Sequence, residues 1–354
     1  MEELYLKLRD RLDEMATGHP STESGVEVRI LQKLFNPEEA SLFLTMTTTP
    51  ETPREIAHRA GIGEQNAAMI LEPMARKGLV FRLREESMVR YFAIPFIVGI
   101  YEFQINNLDD PLVKDISEYY LSGLAQSFHS LKTPHLRTLP VNKDLVSKKP
   151  ILPYDDAASI IRGKDRIAVA PCLCRLAVRR MAKGCDSPLE TCIQFDSFAD
   201  YYVDNDMARY ISTDEALSIL QNNEKAGLVI QTLNSQNVEA MCACCSCCCG
   251  MLISLKLYPA PAREVKSNYY CSVTADSCSA CGTCVSRCPV NAIRVKENIA
   301  EVSRKRCIGC GLCVSTCPDG ILSLEKKPEE EMYEPPKTVF ETFDIMTVEK
   351  KGGI

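Results

Sequence analysis

Between residues 52 and 93 the apolar positions change period, and the change predicts a run of elements. Over 52–60, Thr52 and Pro53 stand where a helix cap and a first helical residue belong. Gly61-Ile62-Gly63 supplies a tight turn. Over 64–77, Ala67, Ile70, Leu71 and Met74 recur at helical spacing, and Gly78 closes the segment. The period then shortens, so 79–84 and 89–93 read as two strands joined at Glu85-Glu86-Ser87. Phe96, Ile97, Ile100 and Phe103 return to helical spacing and are expected in a core, within a helical connector over 96–150.

Further along, 157–161 reads as a short helix and 167–170 as a small apolar strand. A helix is expected over 175–183, with Gly184 as its C-terminal cap. Another is expected over 212–227, with Ser212 and Glu215 as a capping box and Gly227 at its end. Ile293, Val295, Ile299 and Val302 alternate weakly, as a hairpin does. The tail, 326–354, carries an acidic run and Pro335-Pro336. It is expected as an extended strap whose apolar stretch, 339–346, docks on this chain or a partner. The best membrane candidate, 94–100, is interrupted by Pro95 and Gly99 and falls far short of the ~20 apolar residues of a span.

Composition changes this picture through one residue type. The chain has 354 residues and 19 cysteines, with no tryptophan. Its net charge of −6 (41 basic, 47 acidic residues) points to neither nucleic acid nor an anionic membrane. The acidic, amphipathic N-terminus does not read as a signal peptide, so a cytoplasmic location is expected. In that reducing setting dense cysteine serves metal or redox chemistry, not disulfides. Residues 1–171 contain no cysteine at all.

Eight cysteines form an internal repeat. Cys278, Cys281, Cys284 and Cys288 follow the spacing C-x2-C-x2-C-x3-C, with Pro289 next. Cys307, Cys310, Cys313 and Cys317 repeat it at one constant offset, with Pro318 next. Three thiolates so close can hold three corners of one cube only on a tight loop, which Gly282, Gly309 and Gly311 permit. The fourth cysteine is too far round to reach the same cube and, in this arrangement, ligates the other cluster. Pro289 and Pro318 are expected to end each loop and start a short helix. Zinc is the rival occupant. It is disfavoured because the third cysteine follows at once and none of the four histidines is near.

From Tyr270 to Leu324 the chain resembles a two-cluster bacterial-type ferredoxin, including the residues that follow each Cys-Pro pair. The resemblance implies that Cys278, Cys281, Cys284 and Cys317 hold one [4Fe–4S] cluster. Cys307, Cys310, Cys313 and Cys288 would hold the other.

Ten more cysteines lie upstream: Cys172, Cys174, Cys185 and Cys192, then Cys242, Cys244, Cys245, Cys247, Cys248 and Cys249. They are candidate ligands of one or two further iron–sulfur clusters. One arrangement uses Cys172, Cys174, Cys185 and Cys192 alone; mixed ligation from both groups is equally open, as are non-cubane and zinc sites. Adjacent cysteines point in different directions, so Cys244/Cys245 and the run 247–249 are expected to divide between roles. Cys174 lies near an expected helix N-terminus, which lowers a thiolate pKa. Arg175 and Arg179 are candidates to lie just outside the ligands and offset cluster charge. Cys271, outside every tight spacing, reads as a buried thiol.

Helix–turn–helix followed by a hairpin resembles a winged-helix domain. DNA binding through the second helix, with Arg82, Arg84 and Arg90 on the wing, is one reading of it. The other is a docking module, favoured because the second helix offers Glu64, Gln65, Asn66 and Glu72 to solvent. From 27 to 325 the order of motifs is similar to that of cysteine-rich 4Fe–4S proteins of anaerobes, a resemblance that supplies no reaction. Those proteins share Pro171-Cys172-Leu173-Cys174-Arg175, Gly184-Cys185, Glu190-Thr191-Cys192 and the cysteine run before Gly250.

The expected fold is α+β and multidomain: a winged-helix-like domain (1–95), the connector (96–150), a central α/β cysteine-rich domain (151–265), a ferredoxin-like domain with two [4Fe–4S] clusters (266–325) and the tail (326–354). No glycine-rich dinucleotide fingerprint or P-loop is present, so no site for NAD, flavin or ATP is expected. The expected function is electron transfer, as a subunit or dedicated carrier for an anaerobic oxidoreductase, the chain itself not being expected to be catalytic alone. The expected partner is a flavoprotein or another oxidoreductase subunit, with self-association open. The rivals are a redox-sensing transcription regulator and an enzyme whose central cluster binds substrate.

Overall fold

Thr52 and Glu55 bond reciprocally, Thr52 N–H to Glu55 Oε2 at 2.7 Å and Glu55 N–H to Thr52 Oγ1 at 3.4 Å. This box starts the helix Pro53–Ala60, which Gly61 ends in the left-handed region. The next helix, Glu64–Arg76, buries Ala67, Leu71 and Met74, and Ile70 packs against the same core. β1 (Phe81–Glu85) and β2 (Met88–Phe92) then pair antiparallel, with Phe81 opposite Phe92. The computed structural model describes residues 2–85, 88–142, 144, 146, 151–274 and 277–352; the expected turn at Glu86-Ser87 lies outside them.

Two of the expected wing cations are engaged within the chain. Arg82 is buried and donates to Glu72 at 2.7 Å, Asn205 at 3.1 Å and Asp204 at 3.3 Å. Arg84 donates to Asp204 at 2.9 Å and Glu72 at 3.2 Å. Glu72, expected on an open face, also accepts from Tyr91 at 2.9 Å. These pairs clamp the hairpin onto the helix Asp196–Asp204 of the central region. Phe81 stacks on Tyr201 of that helix with ring centroids 4.5 Å apart.

Phe96, Ile97, Ile100 and Phe103 are buried in the same core. His19 lies fully buried there, between Phe96 and Tyr119. Burial pulls its pKa down to about 3, against which the bond to the Glu27 carbonyl works. The unfolded chain therefore binds a proton below pH ~6.5 that the folded chain refuses, and stability falls as pH drops from there towards 3. Exchanging His19 for Gln should flatten that acid loss by up to about 1.4 kcal/mol per pH unit. Urea unfolding at pH 7, 6 and 5 measures it.

The central sheet has six strands: β3 (Leu136–Thr138), β4 (Ile167–Pro171), β5 (Glu190–Phe195), β6 (Arg209–Tyr210), β7 (Val229–Leu233) and β8 (Ala240–Cys244). Their order is β3-β7-β8-β5-β4-β6, and every ladder is antiparallel. The region is thus not an α/β fold with parallel crossovers. β7 leads into β8 through a short reversal, and the insert between β4 and β5 returns the chain antiparallel. β3 arises within the segment expected to be a helical connector. The helices Ala157–Arg162 and Thr213–Lys225 appear close to their expected bounds.

At the C-terminal side, β9 (Tyr269–Val273) pairs with β12 (Leu322–Lys326). β10 (Ile293–Lys296) and β11 (Ile299–Val302) form the expected hairpin. The tail is only partly a strap. Residues 339–352 form the helix Val339–Gly352, whose Val339, Phe343 and Met346 join the N-terminal core. Thr347 accepts from Ala16 N–H at 3.1 Å, and Lys350 pairs with Asp13 at 2.7 Å. Among the described residues no helix is long and apolar enough to cross a membrane.

Candidate metal centres

The two quartets line two separate cavities. Cys278, Cys281, Cys284 and Cys317 surround the first, with Val295, Ala300 and Ile321 as apolar wall. Cys288, Cys307, Cys310 and Cys313 surround the second, with Val290, Ala292 and Ile308. The fourth cysteine of each repeat thus faces the cavity of the other, which fits cross-ligation of two clusters.

Gly282, Gly309 and Gly311 all lie in the left-handed region. A Cβ on Gly309 would come within 2.3 Å of the Tyr269 carbonyl oxygen, so only glycine fits. The short helix falls before the fourth cysteine, at Thr283–Arg287, and not after Pro289 as expected. The three residues between Pro289 and β10 leave no room for one. Cys271 does more than fill space. It lines the second cavity, donates its N–H to Cys307 Sγ at 3.3 Å and places its sulfur 3.6 Å from Cys313 Sγ. Ala292 N–H donates to Cys288 Sγ at 3.1 Å. Burial pushes the Cys307 thiol up to about 11.

The ten central cysteines fall into two groups. Six form a nest: Cys172, Cys174, Cys192, Cys242, Cys244 and Cys249. Cys192 on β5 stands opposite Cys242 on β8, and strand alternation puts Cys244 on the same face. Cys172 and Cys249 each stand immediately before a helix, Leu173–Arg180 and Gly250–Leu257, with no side-chain bond to its first turn. The former begins two residues earlier than expected and ends before Gly184. Thiol contacts run in a chain from Cys172 through Cys174, Cys249, Cys244 and Cys242 to Cys192.

These thiols share protons unevenly. Hydrogen bonds from Cys174 and then Cys244 hold Cys249 down to about 5. Bonds from Cys192 and then Cys244 hold Cys242 well below the usual thiol range. Cys244, which donates to both, is pushed up. A dry nest of six thiols cannot ionise fully without a cation, so loading it with metal must release protons.

The other four, Cys185, Cys245, Cys247 and Cys248, make a compact quartet whose sulfurs all lie within 4.8 Å of one another. Cys185 Sγ is 3.7 Å from Cys245 Sγ, and Cys247 Sγ is 3.8 Å from Cys248 Sγ. The insert between β4 and β5 supplies Cys185; the turn after β8 supplies the others. Where β8 ends, Cys244 turns to the nest and Cys245 to the quartet.

Arg175 lies between the two groups, fully buried. It donates to Ala243 O at 2.9 Å, to Thr191 Oγ1 at 3.1 Å and to the Pro188 carbonyl, and reaches Cys245 Sγ at 3.8 Å. Arg179 closes the loop that carries Cys185, donating to its carbonyl at 2.8 Å and to that of Ser187 at 2.8 Å. Glu102 went unremarked in the sequence. Burial raises its pKa to about 7, with Cys242 adding to the rise, and Gly99 N–H donates to it at 3.0 Å. The only signal was an acid within an apolar run. Gln194 donates to Cys192 Sγ at 3.0 Å and was also missed.

Gly184 has φ +98°, and a Cβ there would lie 3.1 Å from Cys248 Sγ. Gly184→Ala should cost roughly 1–2 kcal/mol of stability through backbone strain alone. Chemical denaturation of the two proteins under nitrogen checks it.

Residues 277–321 match the family model of the 4Fe–4S dicluster domain. No curated protein and no solved structure matches the chain.

Proposed function

We propose that this chain is an iron–sulfur electron-transfer protein that serves an oxidoreductase as a subunit or dedicated carrier. The dicluster-domain match and the paired cavities carry this reading. A [4Fe–4S] cluster in each cavity would supply one-electron redox chemistry. The chain's own part is to hold eight thiolates and to aim amides at them. The Ala292 and Cys271 N–H groups offset negative charge at Cys288 and Cys307, which favours the reduced state. Cys281 is exposed, as are Val295, which lines the same cavity, and Val285 and Ile299 of the same domain. This open, part-apolar edge suits a redox partner such as a flavoprotein.

The six-thiol nest is read as the seat of at least one further iron–sulfur cluster. Its six ligands come from β5, β8 and two helix N-termini, whose dipoles favour thiolate and cluster charge. The N-terminal helices and hairpin, winged-helix-like in order, are read as a docking module, because Arg82 and Arg84 are committed to Glu72 and Asp204. Thiols in this number imply a reducing compartment, the cytoplasm.

Reduced anaerobically, the protein should pass single electrons to a viologen or flavodoxin acceptor on mixing, without any added substrate. Clusters that reduce but exchange no electrons with any acceptor would sink the carrier reading. A mobility shift with DNA that follows cluster oxidation would favour a regulator instead.

A further inference from the structure

We propose that Cys185, Cys245, Cys247 and Cys248 hold one tetrahedral zinc ion, separate from every iron–sulfur cluster of the chain. The sulfur spacing decides it. A tetrahedral zinc with ~2.3 Å bonds places its four sulfurs ~3.8 Å apart. A cubane puts each thiolate on a different iron, spreading the sulfurs to roughly 6 Å. Here two edges measure 3.7 and 3.8 Å, and none exceeds 4.8 Å. The four sulfurs surround one ion and leave no space for a cube.

The same chain supplies the control. Among the described residues, no other set of three thiols has all its sulfurs within 4.8 Å of one another. Each ferredoxin-like quartet lines a cavity of its own. The six-thiol nest touches only from neighbour to neighbour. The compact quartet is therefore a different kind of site from the rest.

The ligands arrive from two short loops, Cys185 from one and Cys245, Cys247 and Cys248 from the other, so the sulfur spacing and not the sequence pattern selects zinc. Gly184 allows the first loop to approach Cys248, and Arg179 fixes its carbonyls. Four thiolates leave a zinc site with net negative charge. The Arg175 guanidinium at Cys245 Sγ and the Ser187 hydroxyl, 3.3 Å from Cys185 Sγ, offset it. A d¹⁰ ion has no electronic geometry of its own and takes a tetrahedron with unequal edges without penalty. Such an ion moves no electrons. It pins the turn 245–248, whose immediate neighbours Cys244 and Cys249 belong to the nest, so it fixes the frame of the adjacent redox site.

The test uses the full chain purified under nitrogen without chelators. Elemental analysis should find about one zinc per chain, and X-ray absorption at the zinc edge should find four sulfurs at ~2.3 Å. The double variant C247S/C248S should lose that zinc and keep its iron and sulfide. Wild-type protein without stoichiometric zinc, or zinc bound through fewer than three sulfurs, would overturn the proposal, whether or not the variant folds. So would a variant that loses about four irons, or one that loses a mononuclear ferric tetrathiolate signal.

Discussion

Replacing Cys174 and Cys249 together by alanine removes about four irons from each chain and leaves about eight. The two sulfurs are the centre of the nest. Cys174 touches Cys172 and Cys249, and Cys249 touches Cys174 and Cys244. Without them the nest keeps Cys172, beside Cys192 at the end of β4, and the strand thiols Cys192, Cys242 and Cys244, and it loses both thiols that link Cys172 to Cys244. A cluster held only from the strand side lacks the ligands that the two helix starts supply. The ferredoxin-like cavities share no cysteine with the nest, so the paramagnetic signals of their reduced clusters should persist. Iron and sulfide analysis with low-temperature EPR reads both halves of the result. Loss of all iron would mean that the nest supports the whole fold. No loss would mean that it holds no cluster.

Arg175→Met lowers the stability of the protein by about 3–5 kcal/mol. The guanidinium is fully buried and serves the carbonyls of Pro188 and Ala243 and the Thr191 hydroxyl. Methionine fills much of the volume but donates nothing, so three acceptors lose their partner in a dry site. Each such loss costs about 1–3 kcal/mol. Lysine should recover only part of the loss, since its ammonium cannot span the two carbonyls that the planar fork reaches together. Denaturant unfolding of wild type, Met and Lys variants in one buffer gives the order. If methionine matched wild type, Arg175 would be a solvated charge and not the pin between the two thiol groups.

These expectations rest on contacts of two kinds, and the sequence exposed only one of them. The ferredoxin-like quartets are local: three ligands lie within one tight loop, and the fourth follows from the repeat. Spacing grouped the three local thiols, and the resemblance to two-cluster ferredoxins implied which fourth cysteine joins each. The central cysteines depend on sheet register. Cys192 meets Cys242 because β5 lies beside β8, and the long separation along the chain hides that pairing. The rule that adjacent cysteines point apart did separate Cys244 from Cys245 in principle. Only the end of β8 shows which goes where.

The helix at Leu173–Arg180 began earlier than expected because cysteine is not a usual cap, and Cys172 makes no side-chain capping bond. The terminal helix was hidden for another reason. Its buried residues, Val339, Thr342, Phe343 and Met346, stand at helical spacing, but the segment follows an acidic run and a diproline and on that account reads as a strap. Its partner surface, the N-terminal core, exists only in the folded chain. The arginines of the hairpin mislead in the same way. Their charge is visible in sequence, but Asp204, which meets it, lies on a distant helix.

The account stands on the central domain being a cluster domain that feeds the ferredoxin-like end. Iron and acid-labile sulfide, counted per chain in protein purified and kept anaerobic, test this most directly. The account predicts about twelve or more irons with matching sulfide. A count of about eight would confine iron–sulfur chemistry to Cys278, Cys281, Cys284, Cys288, Cys307, Cys310, Cys313 and Cys317 and contradict it.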